Sequence, residues 1–158
     1  MTFLYRNRVW LQNTGFMAFQ VVLIATFMVS MTSTSFAATK TCPQDQAMKA
    51  MSEASNLKTW DEVFKSYRKY KHCDDGAIAE GYSASVAYLL ASRWTDIETL
   101  VRLSNANPYF RRFVINHIDE TMNMDQGKSI KKNAATKCPS KAKHLCVAIQ
   151  QRFVELGF

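Results

Sequence analysis

The sequence predicts an all-α fold: a compact, disulfide-stabilised single-domain bundle of about six to seven helices behind an export signal. Three observations lead there. Apolar residues recur with the 3.6-residue helical period through nearly all of residues 38–158, and no segment alternates as a half-buried strand requires. Capping residues and first-turn prolines punctuate that pattern. All four cysteines, Cys42, Cys73, Cys138 and Cys146, follow a leader with the features of a secretory signal.

In that leader Arg6 and Arg8 supply the positive charge and residues 16–29 are almost wholly apolar. Ser35-Phe36-Ala37 then sets small residues where signal peptidase reads. Residues 1–37 are therefore expected to be a cleaved signal peptide, with the cut between Ala37 and Ala38. The alternative is an uncleaved anchor, but Gln20 interrupts an apolar run already short of the roughly 20 residues that span a bilayer. A lipid anchor is disfavoured, because Ala38-Thr39-Lys40-Thr41 before Cys42 is not a small apolar box. The mature form is expected in the periplasm or outside the cell, not embedded in a membrane.

An even number of cysteines in an exported chain suggests two disulfides. Three connectivities exist; Cys42 with Cys73 and Cys138 with Cys146 is favoured because each pair ties neighbouring segments together. The second bond requires the chain to fold back around Pro139, since bonded α-carbons lie within about 7 Å.

The formal net charge of the whole chain is +7, and only Arg6 and Arg8 of the basic residues lie in the leader, which leaves +5 for residues 38–158. Lys128, Lys131, Lys132, Lys137, Lys141 and Lys143 gather near the C-terminus, whereas Asp74, Asp75 and Glu80 lie together in the middle. A compartment without nucleic acid argues against a DNA site; an acidic partner or polyanionic surface suits the lysines better.

The elements follow in order. Pro43 is a favoured first-turn residue and opens a helix to about Ala54, with Ala47, Met48 and Met51 facing inward. Thr59 and Glu62 have capping-box spacing, and Trp60, Val63, Phe64, Tyr67 and Tyr70 form the apolar face of the next helix. Asp74 or Asp75 caps a third helix to about Trp94, whose only charge between Ala77 and Ser92 is Glu80. Its many small residues let neighbours approach closely, so it is expected at the centre.

Thr95 and Glu98 repeat the capping-box spacing before a short helix with Ile97, Leu100, Val101 and Leu103 inward. Asn107 and Pro108 restart helix with Phe110, Phe113, Val114, His117 and Ile118 on one side. Residues 122–125 read as a connection and residues 126–136 as a weak basic helix. Ser140 is expected to cap a last helix that buries Ala142, Leu145, Cys146, Ile149 and Phe153 and ends at Gly157.

No reaction is identified by these residues. Asp74, Asp75 and Glu80 are the candidate partner-binding set. Asp75 and Glu80 also suggest, as an alternative, the paired carboxylates of a cell-wall glycan hydrolase. Helix capping explains Asp74 and Asp75 more simply, and Glu80 is expected to pair with a basic residue of a neighbouring helix. His72 beside Cys73 and His144 near Cys146 match no zinc spacing, and oxidised cysteines are not thiolate ligands. His117 is expected as a hydrogen-bonded core histidine. There is no Gly-x-Ser-x-Gly turn to expose a nucleophile, and Met122 with Met124 lacks a third soft ligand for copper. No metal or cofactor is expected. Protein binding is left as the better class, with loops at residues 71–75, 93–96, 105–108 and 122–126 as the contact regions.

The stretch Cys73-Asp74-Asp75-Gly76-Ala77-Ile78-Ala79-Glu80-Gly81-Tyr82-Ser83, with the later run from Asn133 to Cys138-Pro139, resembles small exported helical proteins of Gram-negative bacteria. Among these are periplasmic immunity proteins against type VI secretion effectors. The resemblance rests on size, export, helicity and cysteine placement. It implies a protein that blocks a cell-wall-degrading toxin by inserting a loop or helix end into its cleft, with no cofactor and no catalysis of its own. A structural component of an envelope complex is a further alternative.

Overall fold

The computed structural model describes residues 41–157; the expected signal peptide and its expected Ala37/Ala38 cleavage site lie outside the described residues. Among those described, seven α-helices and three short 3-10 turns account for the regular structure, with no strand, in agreement with the all-α expectation. The helices are α1 (Gln44–Ala54), α2 (Trp60–Tyr70), α3 (Gly76–Ser92), α4 (Ile97–Ala106), α5 (Pro108–Asn116), α6 (Met124–Thr136) and α7 (Lys143–Glu155). None is long and apolar enough to cross a membrane.

Small residues set the position of α3. It packs against α1, α2 and α6, and at Gly81 the backbone of α1 comes so near that an added Cβ would sit 3.0 Å from the Ala54 Cβ and 3.1 Å from the Ser55 nitrogen. One helical turn later, on the same side, Ser85 Oγ donates to the Ala54 carbonyl at 2.6 Å and accepts from the Leu57 N–H at 3.2 Å. The end of α1 is thus stitched to α3 by a side chain, which satisfies backbone groups that a helix terminus otherwise leaves unpaired. Asn133 of α6 serves the other end of α3, donating to the carbonyls of Leu90 and Ala91.

This close approach explains one departure from expectation. In α1 the buried residues are Ala50 and Ala54, while Met48 and Met51 are 62% and 52% exposed. Only methyl-sized side chains fit between α1 and α3, so the methionines take the outer face.

Other expectations hold. The capping box of Thr59 and Glu62 forms, and the aromatic face of α2 is core: Phe64 meets Phe110 with ring centroids 4.9 Å apart, and Tyr67 meets Phe113 at 4.8 Å. Asn107 caps α5, Pro108 occupies its first turn, and α4 packs against α5. The predicted inward residues of α7 are all buried, and Gly157, with φ of 75°, follows its end.

Three helix starts differ. Residues 94–96 form a 3-10 turn, not a Thr95 capping box, and α4 begins without a side-chain cap. Here Trp94 is buried and its indole donates to the Lys137 carbonyl at 2.9 Å, a tertiary bond that shapes the turn. Ser140 likewise starts a 3-10 turn and leaves α7 without a side-chain cap. Between them, the expected connection at residues 122–125 contains the start of α6, where Asn123 and Gln126 form a capping box.

Two disulfides, Cys42–Cys73 and Cys138–Cys146, use all four cysteines, with α-carbons 4.9 Å and 6.2 Å apart. The first holds the start of α1 against the 3-10 turn Lys71–Cys73; the second folds the end of α6 back onto α7.

Candidate functional site

The acidic corner between α2 and α3 is built on that first disulfide. Cys73 ends the 3-10 turn and Asp74 and Asp75 follow before the helix resumes. Asp75 is the N-cap: its backbone is extended and its Oδ1 accepts from the Gly76 N–H at 2.8 Å. Gly76 has φ of 51°, in the left-handed region that favours glycine, and this turns the chain sharply into α3.

Asp74 takes the opposite direction. Its Oδ2 lies 3.2 Å from Nε2 of His117, which closes the end of α5 and is 6% exposed. The other ring nitrogen, Nδ1, lies 3.0 Å from Ser83 Oγ, and that hydroxyl donates to Asp119 Oδ2 at 2.6 Å. The Thr121 backbone N–H completes the turn by donating to Asp119 Oδ1 at 2.9 Å. Since the Ser83 proton goes to Asp119, its oxygen accepts from Nδ1–H, while Nε2 faces a carboxylate.

Burial pushes the Asp119 carboxyl up, but the hydrogen bonds from Ser83 and Thr121 and the charge of His117 outweigh it and hold Asp119 below the usual carboxylate range. Phe113 meets the imidazole edge-to-face at 4.3 Å, and Tyr82 lies 5.6 Å away. Burial also pushes the Tyr82 phenol up to about 12, against the opposing hydrogen bond with Ser66 at 2.8 Å.

An Asp, a His and a Ser in contact invite comparison with a catalytic triad, and the geometry rejects it. Ser83 is 2% exposed and has committed its proton to Asp119, so it has neither access to substrate nor a base to activate it. The expectation of a hydrogen-bonded core histidine at His117 holds. Ser83 and Asp74 are not legible as its partners, for they lie 34 and 43 residues away and no local pattern joins them.

No protein-family model, curated protein or solved structure matches the chain.

Of the three carboxylates singled out by sequence, Asp74 is bound to His117, Asp75 caps α3, and Glu80 is exposed with no hydrogen bond or ion pair among the described residues. The expected partner for Glu80 on a neighbouring helix is thus not found. Asp75 sits outside α3 as its extended N-cap with its Oδ1 held by the Gly76 N–H, whereas Glu80 lies within the helix, so no shared helical face sets the two as an acid–base pair. His72 Nε2 donates to the Gln46 Oε1 at 2.8 Å, linking the corner to α1. Met122 is buried whereas Met124 is exposed, and no group of three His, Cys, Asp or Glu among the described residues is arranged to hold a metal.

The remaining predicted loops are shaped differently. Arg93 and Asp96 neutralise each other at 3.0 Å. An open cavity of about 550 Å³ separates the end of α3 from the start of α6, lined by Ser92, Asn123, Asp125 and Ser129 among others. A smaller one of about 120 Å³ lies where residues 104–105 meet α5 and α7.

Proposed function

We propose that the protein is a non-enzymatic recognition module that works outside the cytoplasm, binding a protein partner through the acidic corner at the start of α3. The form of this reading that suits the chain best is an immunity protein or inhibitor that occupies the cleft of a cell-wall-degrading toxin. The observation that supports it is the fixing of the corner from two sides. Cys42–Cys73 anchors the turn to α1, and His117 anchors Asp74 to α5, while Asp75 and Glu80 stay exposed. A segment held in one conformation before contact loses little entropy on binding, which favours insertion into a cleft. Exposed carboxylates suit a partner whose cleft is basic.

The test compares the wild-type protein with the double variant Asp75→Asn, Glu80→Gln as baits for envelope proteins of the source bacterium. Asn caps a helix as well as Asp does, so the variant removes charge without removing the cap. The expected result is a toxin-like partner retained by the wild type and lost by the variant. Identical captured sets would refute the acidic corner. Hydrolysis of purified peptidoglycan by the wild type, abolished by Glu80→Gln alone, would replace binding with the hydrolase.

A further inference from the structure

A cavity of about 120 Å³ lies between α4, α5 and α7. Its polar lining is Ser104, Asn105, Arg111, Lys141 and His144, over an apolar floor that includes Leu145; no carboxylate lines it. Lys49, Lys69, Arg93, Arg102, Lys128 and Arg152 each lie within 4.0 Å of an acidic oxygen. Arg111 and Lys141, like the other lysines and arginines without such an oxygen, have no acidic partner among the described residues, but these two also share a hollow with His144. Arg111 and Lys141 bring two positive charges to one hollow, and an anion shared between them is attracted by both.

A second, independent observation points the same way. Ser104 is 3% exposed, and its Oγ is buried without any hydrogen-bond partner. A hydroxyl left unsatisfied in a protein interior costs about 1–3 kcal/mol, and such groups are uncommon in folded domains. Here the unsatisfied residue lines the basic hollow. The start of α7 adds to the bias: Lys143 and His144 occupy its first turn and no acidic residue does, although the positive end of the helix dipole favours anions there.

From this we infer that the cavity is an anion site for a phosphate group, free or carried as a monoester. A guanidinium fork, a lysine ammonium and an asparagine amide offer donors in several directions, with the unpartnered Ser104 hydroxyl buried in the wall, which suits a tetrahedral dianion better than the two coplanar oxygens of a carboxylate. The site is separate from the acidic corner and does not depend on the function proposed for it.

The experiment is a titration of the ¹⁵N-labelled mature protein with inorganic phosphate at constant ionic strength, with chloride as the control anion. Saturable shifts are expected at Ser104, Asn105, Arg111 and His144, with half-saturation near or below about 1 mM, a binding free energy of about −4 kcal/mol. Arg111→Gln and Lys141→Gln, both at exposed positions, are each expected to weaken binding about tenfold while leaving the spectrum otherwise folded. Ser104→Ala is the buried counterpart, and its thermal midpoint reports whether its fold is intact. Vesicles of phosphatidylcholine with and without phosphatidic acid distinguish the source. Sedimentation with the phosphatidic acid vesicles, relieved by phosphate and by Arg111→Gln, assigns a lipid head group; phosphate binding without sedimentation assigns a soluble phosphate. Absence of saturable shifts up to about 10 mM phosphate, or shifts that Arg111→Gln and Lys141→Gln leave unchanged, overturns the inference.

Discussion

Replacing Ser83 by Ala removes one oxygen from the interior and breaks a chain of charges. That oxygen accepts from His117 Nδ1 at 3.0 Å and donates to Asp119 Oδ2 at 2.6 Å. Without it a buried imidazole N–H has no acceptor, which costs about 1–3 kcal/mol, and Asp119 loses a bond of the charged class, in the range of about 1.5–3 kcal/mol. The two losses overlap, and Ala recovers about 0.5 kcal/mol as the better helix former. A net loss of about 2–3 kcal/mol at neutral pH follows, or about 8–12 °C in Tm for a domain of this size.

The pH dependence supplies a second reading of the same variant. Asp119 has a lowered pKa in the folded protein, so its contribution is present above the ordinary value of 3.8 and is lost as pH falls through the folded value. With Ser83→Ala that lowering is smaller, and less stability remains to be lost in acid. Urea unfolding followed by circular dichroism, at neutral pH and in steps through pH 3.8, measures both effects. A loss under about 1 kcal/mol, or an acid-side slope equal to the wild type's, would refute the network as drawn.

Further outcomes concern the scaffold. The Cys42–Cys73 bond spans 31 residues and Cys138–Cys146 spans 8. On the chain-entropy account the Cys42→Ser, Cys73→Ser pair costs about 3–4 kcal/mol and the Cys138→Ser, Cys146→Ser pair about 2–3; denaturant midpoints in the reverse order would contradict it. Gly81→Ala destabilises although Ala is the better helix former, because the atoms it meets are the Ala54 Cβ and the Ser55 backbone, neither of which can swing aside. A loss of about 1–2 kcal/mol is expected, and a gain in thermal midpoint would show that α1 moves freely.

What was legible in the sequence depended on where each signal is stored. Thr59 with Glu62, and Asn107 with Pro108, encode helix starts within four residues, and the structure reproduces both. The same spacing at Thr95 and Glu98 fails, because burial of Trp94 and its bond to Lys137, 43 residues away, decide the turn. Met48 and Met51 were placed inward on hydropathy alone, whereas the space is set by Gly81 of another helix. Asn123 and Gln126 do carry a local capping signal, which the low apolar content of α6 obscured. At the acidic corner, proximity in sequence suggested one set of three carboxylates. The fold divides them, since Asp74 meets a histidine that sequence order places beyond three further helices. The basic hollow is drawn from three separate segments, and only its Asn105 lay in a loop marked for binding.

The two disulfides also bear on how the protein is made. Each joins a cysteine to the next one along the chain, Cys42 to Cys73 and then Cys138 to Cys146. An oxidant that links thiols in the order in which they emerge from a translocation pore therefore produces the native pairs directly. In that order of emergence the first bond, which encloses α1 and α2, can close before any of the five later helices has appeared.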